Sequence, residues 1–458
     1  MTELFWLIPE YLVAAAALVA LFADAVSPRQ GTGAALGAAV SLVAALAAVF
    51  IGARGEIAGV LDLDQTAVVA RVAMLVLTGI YLLWLSARGT GQERSREAAA
   101  LALLALLGGM FMTTARDLIA LFIAVELGTM PAYVLMGYRR GDARSLEGAL
   151  KYFLLSMTTS LVMLYGFSFL FGLSGSTAFA TLGRAGEAGL LGGFAALFAF
   201  IGLFSKVSAA PFHFWAPDTY AGAPAASVAF VSTVPKIAGT VVVVHLAAVL
   251  APGVPVLPAV FALVALASMV LGNLAAFPQN DLRRLMAYSG VAHSGYVLLA
   301  VSAATPGGYA SAVFYTIVYA VPSMAIMFIA AEEGSSLDDV AGLAGRRPAL
   351  AWASVVFLLS LVGIPPMAGL FGKLLVFASA IDGGRAWLVV VAVIMSVASA
   401  GYYFRVLREV FYGERPEAPA PVPARSVVAS LALAACVAIT LTLGLGAQPL
   451  LGMLGLAF

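Results

Sequence analysis

Apolar runs about twenty residues long follow one another almost from end to end, separated by short polar punctuation. A bilayer-spanning helix needs roughly 20 consecutive apolar residues. The pattern predicts fourteen spans, at residues 4–26, 33–52, 67–87, 97–114, 117–137, 147–172, 189–211, 224–249, 255–276, 284–303, 309–331, 350–379, 386–411 and 427–450. Ser27-Pro28, Gly89-Thr90-Gly91 and Pro306-Gly307-Gly308 are turn signals between them. The segment Gly413–Arg425 is polar and Pro-rich and reads as an extended linker. The expected fold is an all-α polytopic membrane protein.

Two spans are interrupted. In the seventh, the stretch LFSKVSAAPFHFWAPDTY over Leu203–Tyr220 places Pro211 where it removes a backbone N–H and disfavours helix at Ala210. In the twelfth, Gly363-Ile364-Pro365-Pro366-Met367-Ala368-Gly369 precedes Leu370-Phe371-Gly372-Lys373. If spans 4–8 and 9–13 are two five-helix repeats, each break falls on the fourth helix of its unit, and the odd number inverts the second unit. The division is then 1–96 for three N-terminal spans, 97–250 and 251–412 for the inverted repeats, and 413–458 for the linker and last span. Broken helices at matching places in inverted repeats point to an ion or substrate route near the bilayer midplane. Irregular backbone at that depth must face protein or a wet cavity.

Composition agrees and narrows the function classes. The chain is 62% hydrophobic and 10% charged with a mean hydropathy of +1.03, against a charged fraction of about 25% in soluble domains. The net charge of +1 and the lack of a basic, aromatic-rich patch give no sign of nucleic-acid binding. The N-terminal MTELFWLIPEYL lacks a basic n-region and reads as a first span rather than a secretory signal. The single cysteine, Cys436, excludes disulfides, thiolate iron–sulfur ligation and CxxC zinc sites. With three histidines, a haem or metal site would need unusual ligands, so neither a redox centre nor a metal is expected. No HExxH, P-loop or dinucleotide motif sits in a suitable context, and Ser–His–Asp catalysis has no soluble scaffold. The pattern is transport-like.

Of the 24 basic residues only Lys151, Lys206, Lys236 and Lys373 are lysines, each within a hydrophobic segment; the loops use arginine. One set of alternate loops holds fifteen arginines (29, 88, 94, 96, 139, 140, 144, 283, 284, 346, 347, 405, 408, 415 and 425), the other Arg54, Arg71, Arg116, Arg184 and Arg385. The richer set is expected to be cytoplasmic, leaving both termini outside. Arginine stays protonated, whereas a buried lysine can release its proton, so four lysines at these places point to titration rather than mere charge.

Glu126 lies mid-span; it either holds its helix against a neighbouring lysine or forms a functional carboxylate–ammonium pair. Lys151, about one turn into the sixth span, either snorkels to the headgroups or joins the titrating set. Lys206, Lys236 and Lys373 are too deep to snorkel easily, and an isolated charge costs roughly 2.5–3.5 kcal/mol at a helix centre. His293, flanked by Ser289, Ser294 and Tyr296, either relays protons or packs through hydrogen bonds. His245, nine residues after Lys236, faces roughly the opposite side of that helix and reads as structural. His213 and Asp218 either form the mouth of a water channel or cap the loop after the first break.

Lys206–Pro224, KVSAAPFHFWAPDTYAGAP, resembles the broken seventh helix of the antiporter-like membrane subunits of respiratory complex I (NADH-quinone oxidoreductase). Asp281–Tyr296, DLRRLMAYSGVAHSGY, is similar to their tenth-helix signature, Gly363–Lys373 to their broken twelfth helix, and Glu332–Pro348 to the loop before it. The resemblance covers roughly residues 100–415. WAPDTYAGAP followed by FVSTVPK, the lysine of the twelfth helix and the lack of a long C-terminal lateral helix fit the N-type branch; Leu370 stands where Phe is common. The resemblance implies a proton-translocating axis of Glu126, Lys206, Lys236, His293 and Lys373, with Lys151 as an N-type addition. It implies a bacterial plasma-membrane location and M-like and K-like neighbouring subunits in the bilayer. No cofactor is expected in this chain; NADH, FMN, iron–sulfur clusters and quinone belong to partner subunits. The rival readings are a subunit of a multi-subunit cation/proton antiporter and a non-pumping spacer of the membrane arm.

Overall fold

The computed structural model describes residues 2–26, 31–87, 95–139, 141–414 and 426–456. A 3-10 turn, Thr2–Leu7, leads into α1 (Ile8–Val26) and α2 (Thr32–Ile51). A small antiparallel hairpin, β1 (Gly55–Ile57) and β2 (Leu61–Leu63), precedes α3 (Gln65–Ser86), α4 (Ser95–Thr114), α5 (Leu118–Met136) and α6 (Ala143–Ser174). Short α7 (Phe179–Leu182) leads to α8 (Leu190–Lys206), α9 (Trp215–Gly222), α10 (Ala225–Val231) and α11 (Val234–Leu250). Then come α12 (Leu257–Ala276), α13 (Leu282–Val301), α14 (Pro306–Glu333), and the short α15 (Leu337–Val340) and α16 (Leu343–Arg346). The chain closes with α17 (Pro348–Val362), α18 (Ala368–Asp382), α19 (Ala386–Tyr412), α20 (Val427–Leu445) and α21 (Gln448–Met453). The fold is the expected all-α membrane architecture. Among the described residues eleven helices are long and apolar enough to cross a membrane, and α8 and α17 are shorter apolar helices. The predicted linker Gly413–Arg425 lies almost wholly outside the described residues, as do Arg29, Arg88, Arg94, Arg140, Arg415 and Arg425.

Both expected breaks are present, and the freed backbone groups are taken by side chains. At the first, α8 stops at Lys206, Ser208 has φ +59°, and the Ala210 N–H donates to Ser268 Oγ of α12 at 2.8 Å. Trp215 Nε1 donates to the Ser205 carbonyl at 3.0 Å, and Ser294 of α13 donates to the Val207 carbonyl. At the second, α17 ends in Gly363 at φ +89°, a left-handed position that glycine adopts without steric cost. A third interruption, at Ser232-Thr233 between α10 and α11, was not anticipated; Pro235, in the first turn of α11, is its sequence signal.

Helices approach closely where small residues permit it. A Cβ on Gly108 of α4 would lie 2.2 Å from the Gly128 nitrogen of α5, so this contact holds the Glu126-bearing helix. The polar helix α13 is buried along most of its length, and the most apolar stretch of α14 is wholly buried.

One expectation is corrected. Arg71 is not a loop residue: it lies inside α3, fully buried, with its Nη2 2.6 Å from Glu10 Oε2 of α1, itself 1% exposed. In hydrocarbon such a pair satisfies two charges that otherwise carry a large desolvation cost. Several other loops meet one another. Arg283 donates to the Ala223 carbonyl, Arg346 and Arg347 pair with Glu333, and the Gly342 N–H bonds to the Glu409 carbonyl. Separately, the hairpin joins Ala115 through Leu61, and Asp117 bridges to Ala178.

Candidate functional site

The three deep lysines each sit at a helix interruption. Lys206 is the last residue of α8, Lys236 the third of α11, and Lys373 reaches from α18 back to the end of α17. Their exposures are 8%, 5% and 4%. Helix C-termini carry partial negative charge and unpaired carbonyls, which makes two of these positions favourable for an ammonium group.

Lys206 Nζ donates to Ser156 Oγ of α6 at 2.7 Å. The expected pairing with Glu126 is not made: both carboxylate oxygens of Glu126 are buried without a hydrogen-bond partner, although the two charges are close enough to interact. Glu126 is placed by α5, Lys206 by the break, and Ser156 competes for the ammonium.

Val207, beside Lys206, opens the next part of the site. With Lys236, Thr240, His293, Tyr315 and Tyr319 it lines a cavity of about 10 Å³, room for roughly one water. The Lys236 ammonium lies 5.7 Å from the centre of the Tyr319 ring. A Cβ on Gly290 would come within 2.7 Å of Lys236 Nζ, so the glycine makes space for the amine. His293 is held at both ring nitrogens: Nδ1 is 2.7 Å from Tyr315 Oη, and Nε2 is 3.3 Å from Tyr403 Oη, which is 2.5 Å from Ser289 Oγ. Of the two readings of His293, relay or packing, these contacts supply the hydrogen bonds that the packing one requires.

Lys373 closes the row. Its Nζ donates to the carbonyls of Leu361 at 3.1 Å and Val362 at 2.6 Å, and to Ser396 Oγ of α19 at 2.7 Å. The Tyr296 ring lies 5.4 Å from this amine and 5.7 Å from the His293 ring. The arrangement alternates amines, hydroxyls, an imidazole and a water-sized space inside an apolar bundle, which is chemistry suited to moving protons by short transfers.

Lys151, His213 and Asp218 lie apart from this row. Lys151 is 43% exposed and pairs with Glu147 at 2.8 Å and Asp218 at 3.0 Å; Asp218 also binds Arg284 Nη1 at 3.1 Å. That cluster ties the ends of α6, α9 and α13. His213 is 3% exposed with Nδ1 unpartnered, and its ring lies 6.5 Å from that of Tyr288. His245 is structural, as expected: Nε2 is 3.1 Å from Asp64 Oδ2 and Nδ1 3.0 Å from Arg116 Nη1, tying α11 to the hairpin side. Burial pushes the Asp64 carboxyl up, but the hydrogen bond and charge of His245 together with Arg116 prevail and hold it down at about 2.

Sequence reasoning missed Ser156, Ser396, Tyr315 and Tyr403. Serine hydroxyls in apolar helices commonly bond to their own backbone, and a tyrosine in an apolar run reads equally as a packing ring, so nothing in the sequence separates these four from the rest.

Residues 115–399 match the family model described as NADH:quinone oxidoreductase/Mrp antiporter, TM. NADH-quinone oxidoreductase subunit N of Salinibacter ruber is 39% identical over 370 residues, covering 77% of this chain and 73% of that protein. Subunit N of Rhodospirillum rubrum is 36% identical over 431 residues, covering 90% and 88%. A chain of respiratory complex I from Thermus thermophilus with bound Aureothin superposes with a TM-score of 0.85 at 30% identity over 97% of this chain and 98% of that one. A chain of the Mrp complex from Dietzia sp. DQ12-45-1b shares the fold, with a TM-score of 0.88 at 24% identity over 99% and 96%. By the match over its central 285 residues and by these identities, the chain belongs to the NADH:quinone oxidoreductase/Mrp antiporter transmembrane family, in the branch of NADH-quinone oxidoreductase subunit N.

Proposed function

We propose that this chain is the proton-translocating membrane subunit of an NADH-quinone oxidoreductase, a translocase in which it works beside other membrane-arm subunits. Protons pass along Glu126, Lys206, Lys236, His293 and Lys373, driven by quinone reduction in other subunits. The observation that carries this reading is the row of three buried amines joined by hydroxyls, His293 and a water-sized cavity. Arginine in these places would hold its proton; lysine can exchange it.

In the proposed cycle Glu126 supports the charged state of Lys206. A charge change in a neighbouring subunit separates the pair, and the ammonium, no longer supported, releases its proton towards Lys236. The conformer with Lys206 turned to Ser156 and Glu126 unpartnered fits the separated state. One ion pair made or broken at an effective dielectric of about 20 is worth ~4 kcal/mol, and moving one proton against 100 mV takes ~2.3 kcal/mol. The switch is therefore large enough for the work.

The same reading includes fourteen spans, with residues 97–250 and 251–412 as inverted five-helix repeats, and a bacterial plasma-membrane location with both termini outside. The chain's neighbours are M-like and K-like subunits. NADH, flavin, iron–sulfur clusters and quinone reside in partner subunits. His213 and Asp218 belong to the proton intake, and Lys151, tied to Asp218, belongs with them. The 39% and 36% identities to subunit N support this over a cation/proton antiporter, whose likeness at 24% concerns the fold alone.

The test is Lys206→Met in the assembled complex in proteoliposomes. It should assemble yet lose proton pumping, with electron transfer slowed if coupling is tight. Full pumping would remove Lys206 from the mechanism, and unchanged proton stoichiometry after neutralising Glu126, Lys206 and Lys373 together would favour a spacer.

A further inference from the structure

Lys373 has three hydrogen-bond acceptors, and they differ in kind. Two are the last carbonyls of α17, from Leu361 and Val362. A carbonyl accepts a hydrogen bond but has no proton to pass on. The third is Ser396 Oγ, at 2.7 Å, from α19. A hydroxyl has one proton to give and lone pairs to receive another. The Tyr296 ring also faces the amine, 5.4 Å away, but a ring face transfers nothing. Among the described residues in direct contact with the Lys373 ammonium, only Ser396 can hand it a proton or take one away.

The surroundings of Ser396 point the same way. The Tyr296 hydroxyl, one turn from His293 on α13, lies near Ser396 and Asn273 without closing a hydrogen bond to either. Asn273 is engaged by Tyr402, its Oδ1 accepting from Tyr402 Oη at 3.1 Å. On α19, Ser396 and Tyr403 are seven residues apart and so share a face. Tyr403 meets Nε2 of His293 and Ser396 meets Lys373. One helix that carries no charged group at this depth therefore supplies a hydroxyl to each of the last two stations of the row.

We infer that Ser396 is the proton-transfer residue of Lys373, standing between that amine and the His293–Tyr296 side of the site. This rests on the proposed proton axis. When Lys373 is neutral, the Ser396 O–H donates to the Nζ lone pair. As that proton crosses, the Ser396 oxygen takes one from a water or from the Tyr296 hydroxyl, which is restored in turn from its own neighbour. One O–H bond breaks and one forms at Ser396, one N–H bond forms at Lys373, and the serine ends unchanged. The two carbonyls hold the resulting ammonium in place.

The test compares two substitutions of equal shape in the assembled complex. Ser396→Thr keeps the hydroxyl and Ser396→Val removes it; Ser396→Ala against Ser396→Thr makes the same comparison if the valine variant fails to assemble. In proteoliposomes, proton pumping per electron transferred should be retained by the threonine variant. It should fall about a hundredfold in the variant without a hydroxyl, the low end of what a positioned proton donor contributes. The pumping rate of the hydroxyl-free variant should also fall more steeply with rising pH than that of the wild type, because solvent must then reprotonate Lys373. Equal pumping by all three variants overturns the proposal, and so does equal loss in all three, which would mean packing. Lys373→Met run beside them separates the two readings: pumping lost there but intact in Ser396→Val refutes the serine alone, whereas pumping intact in Lys373→Met refutes the axis on which it rests.

Discussion

Lys206 Nζ donates a 2.7 Å hydrogen bond to Ser156 Oγ, while the carboxylate expected to hold it, that of Glu126, is buried without a hydrogen-bond partner. Ser156 therefore sets how readily Lys206 swings to Glu126. Ser156→Ala should leave the ammonium with Glu126 as its best partner and lock the pair. A charge-assisted hydrogen bond is worth about 1.5–3 kcal/mol, so proton pumping in proteoliposomes should slow by roughly ten- to a hundredfold, with assembly retained. Wild-type pumping in this variant would show that the serine does not govern the switch.

Gly290 leaves room for the Lys236 amine. A methyl group there would sit 2.7 Å from Nζ and 3.0 Å from Tyr319 Oη, in contact with the groups that bound the one-water cavity. Gly290→Ala should cost about 1–3 kcal/mol as overpacking and displace the amine, so that the complex assembles and turns over with little pumping. Thermal unfolding in detergent and the proton-to-electron ratio check the two parts separately.

The contact between α4 and α5 leaves no space at Gly108, where a Cβ would meet the Gly128 nitrogen at 2.2 Å, whereas nothing lies within 4 Å of a Cβ on Gly172 of α6. Gly108→Ala should therefore lower the yield of assembled complex strongly and Gly172→Ala should leave it near wild type. Equal yields would mean that the two helices part without cost.

Arg71 and Glu10 form a fully buried pair between α3 and α1. Breaking such a pair from one side leaves an unpaired charge and costs about 3–5 kcal/mol. Arg71→Met alone should lower thermal stability by that order, and Glu10→Leu combined with Arg71→Met should recover much of it. A double-mutant cycle measures the coupling; simple additivity would contradict it.

Asp64 gives a pH dependence with a definite sign. His245 and Arg116 hold its carboxyl at about 2, below the ordinary value of 3.8. Its contribution to folding is therefore complete above the unfolded value and is lost as pH falls from about 4 towards 2. The stability difference between wild type and Asp64→Asn in detergent should be present at pH 7 and shrink through that window. A difference independent of pH would sink this assignment.

The all-helical membrane architecture, two of the helix breaks and the three deep lysines were legible in the residues, because each is a local property. Apolar runs must lie in hydrocarbon, Pro and Gly end helices wherever they fall, and an ammonium in an apolar run is costly whatever surrounds it. Arg71 was misread for the same reason: nothing local tells a loop arginine from one paired with Glu10 some sixty residues away. Lys151 and Lys206 look alike along the chain, yet one reaches the surface and its acidic partners while the other is sealed in the bundle. Which partner each amine takes, Ser156 for Lys206 and Ser396 for Lys373, depends on where α6 and α19 pass. The sequence by itself determined that protonatable groups would lie deep in the membrane. Only the tertiary structure decided which hydroxyl stands next to each, because hydrogen bonds form over a few ångströms between helices tens or hundreds of residues apart.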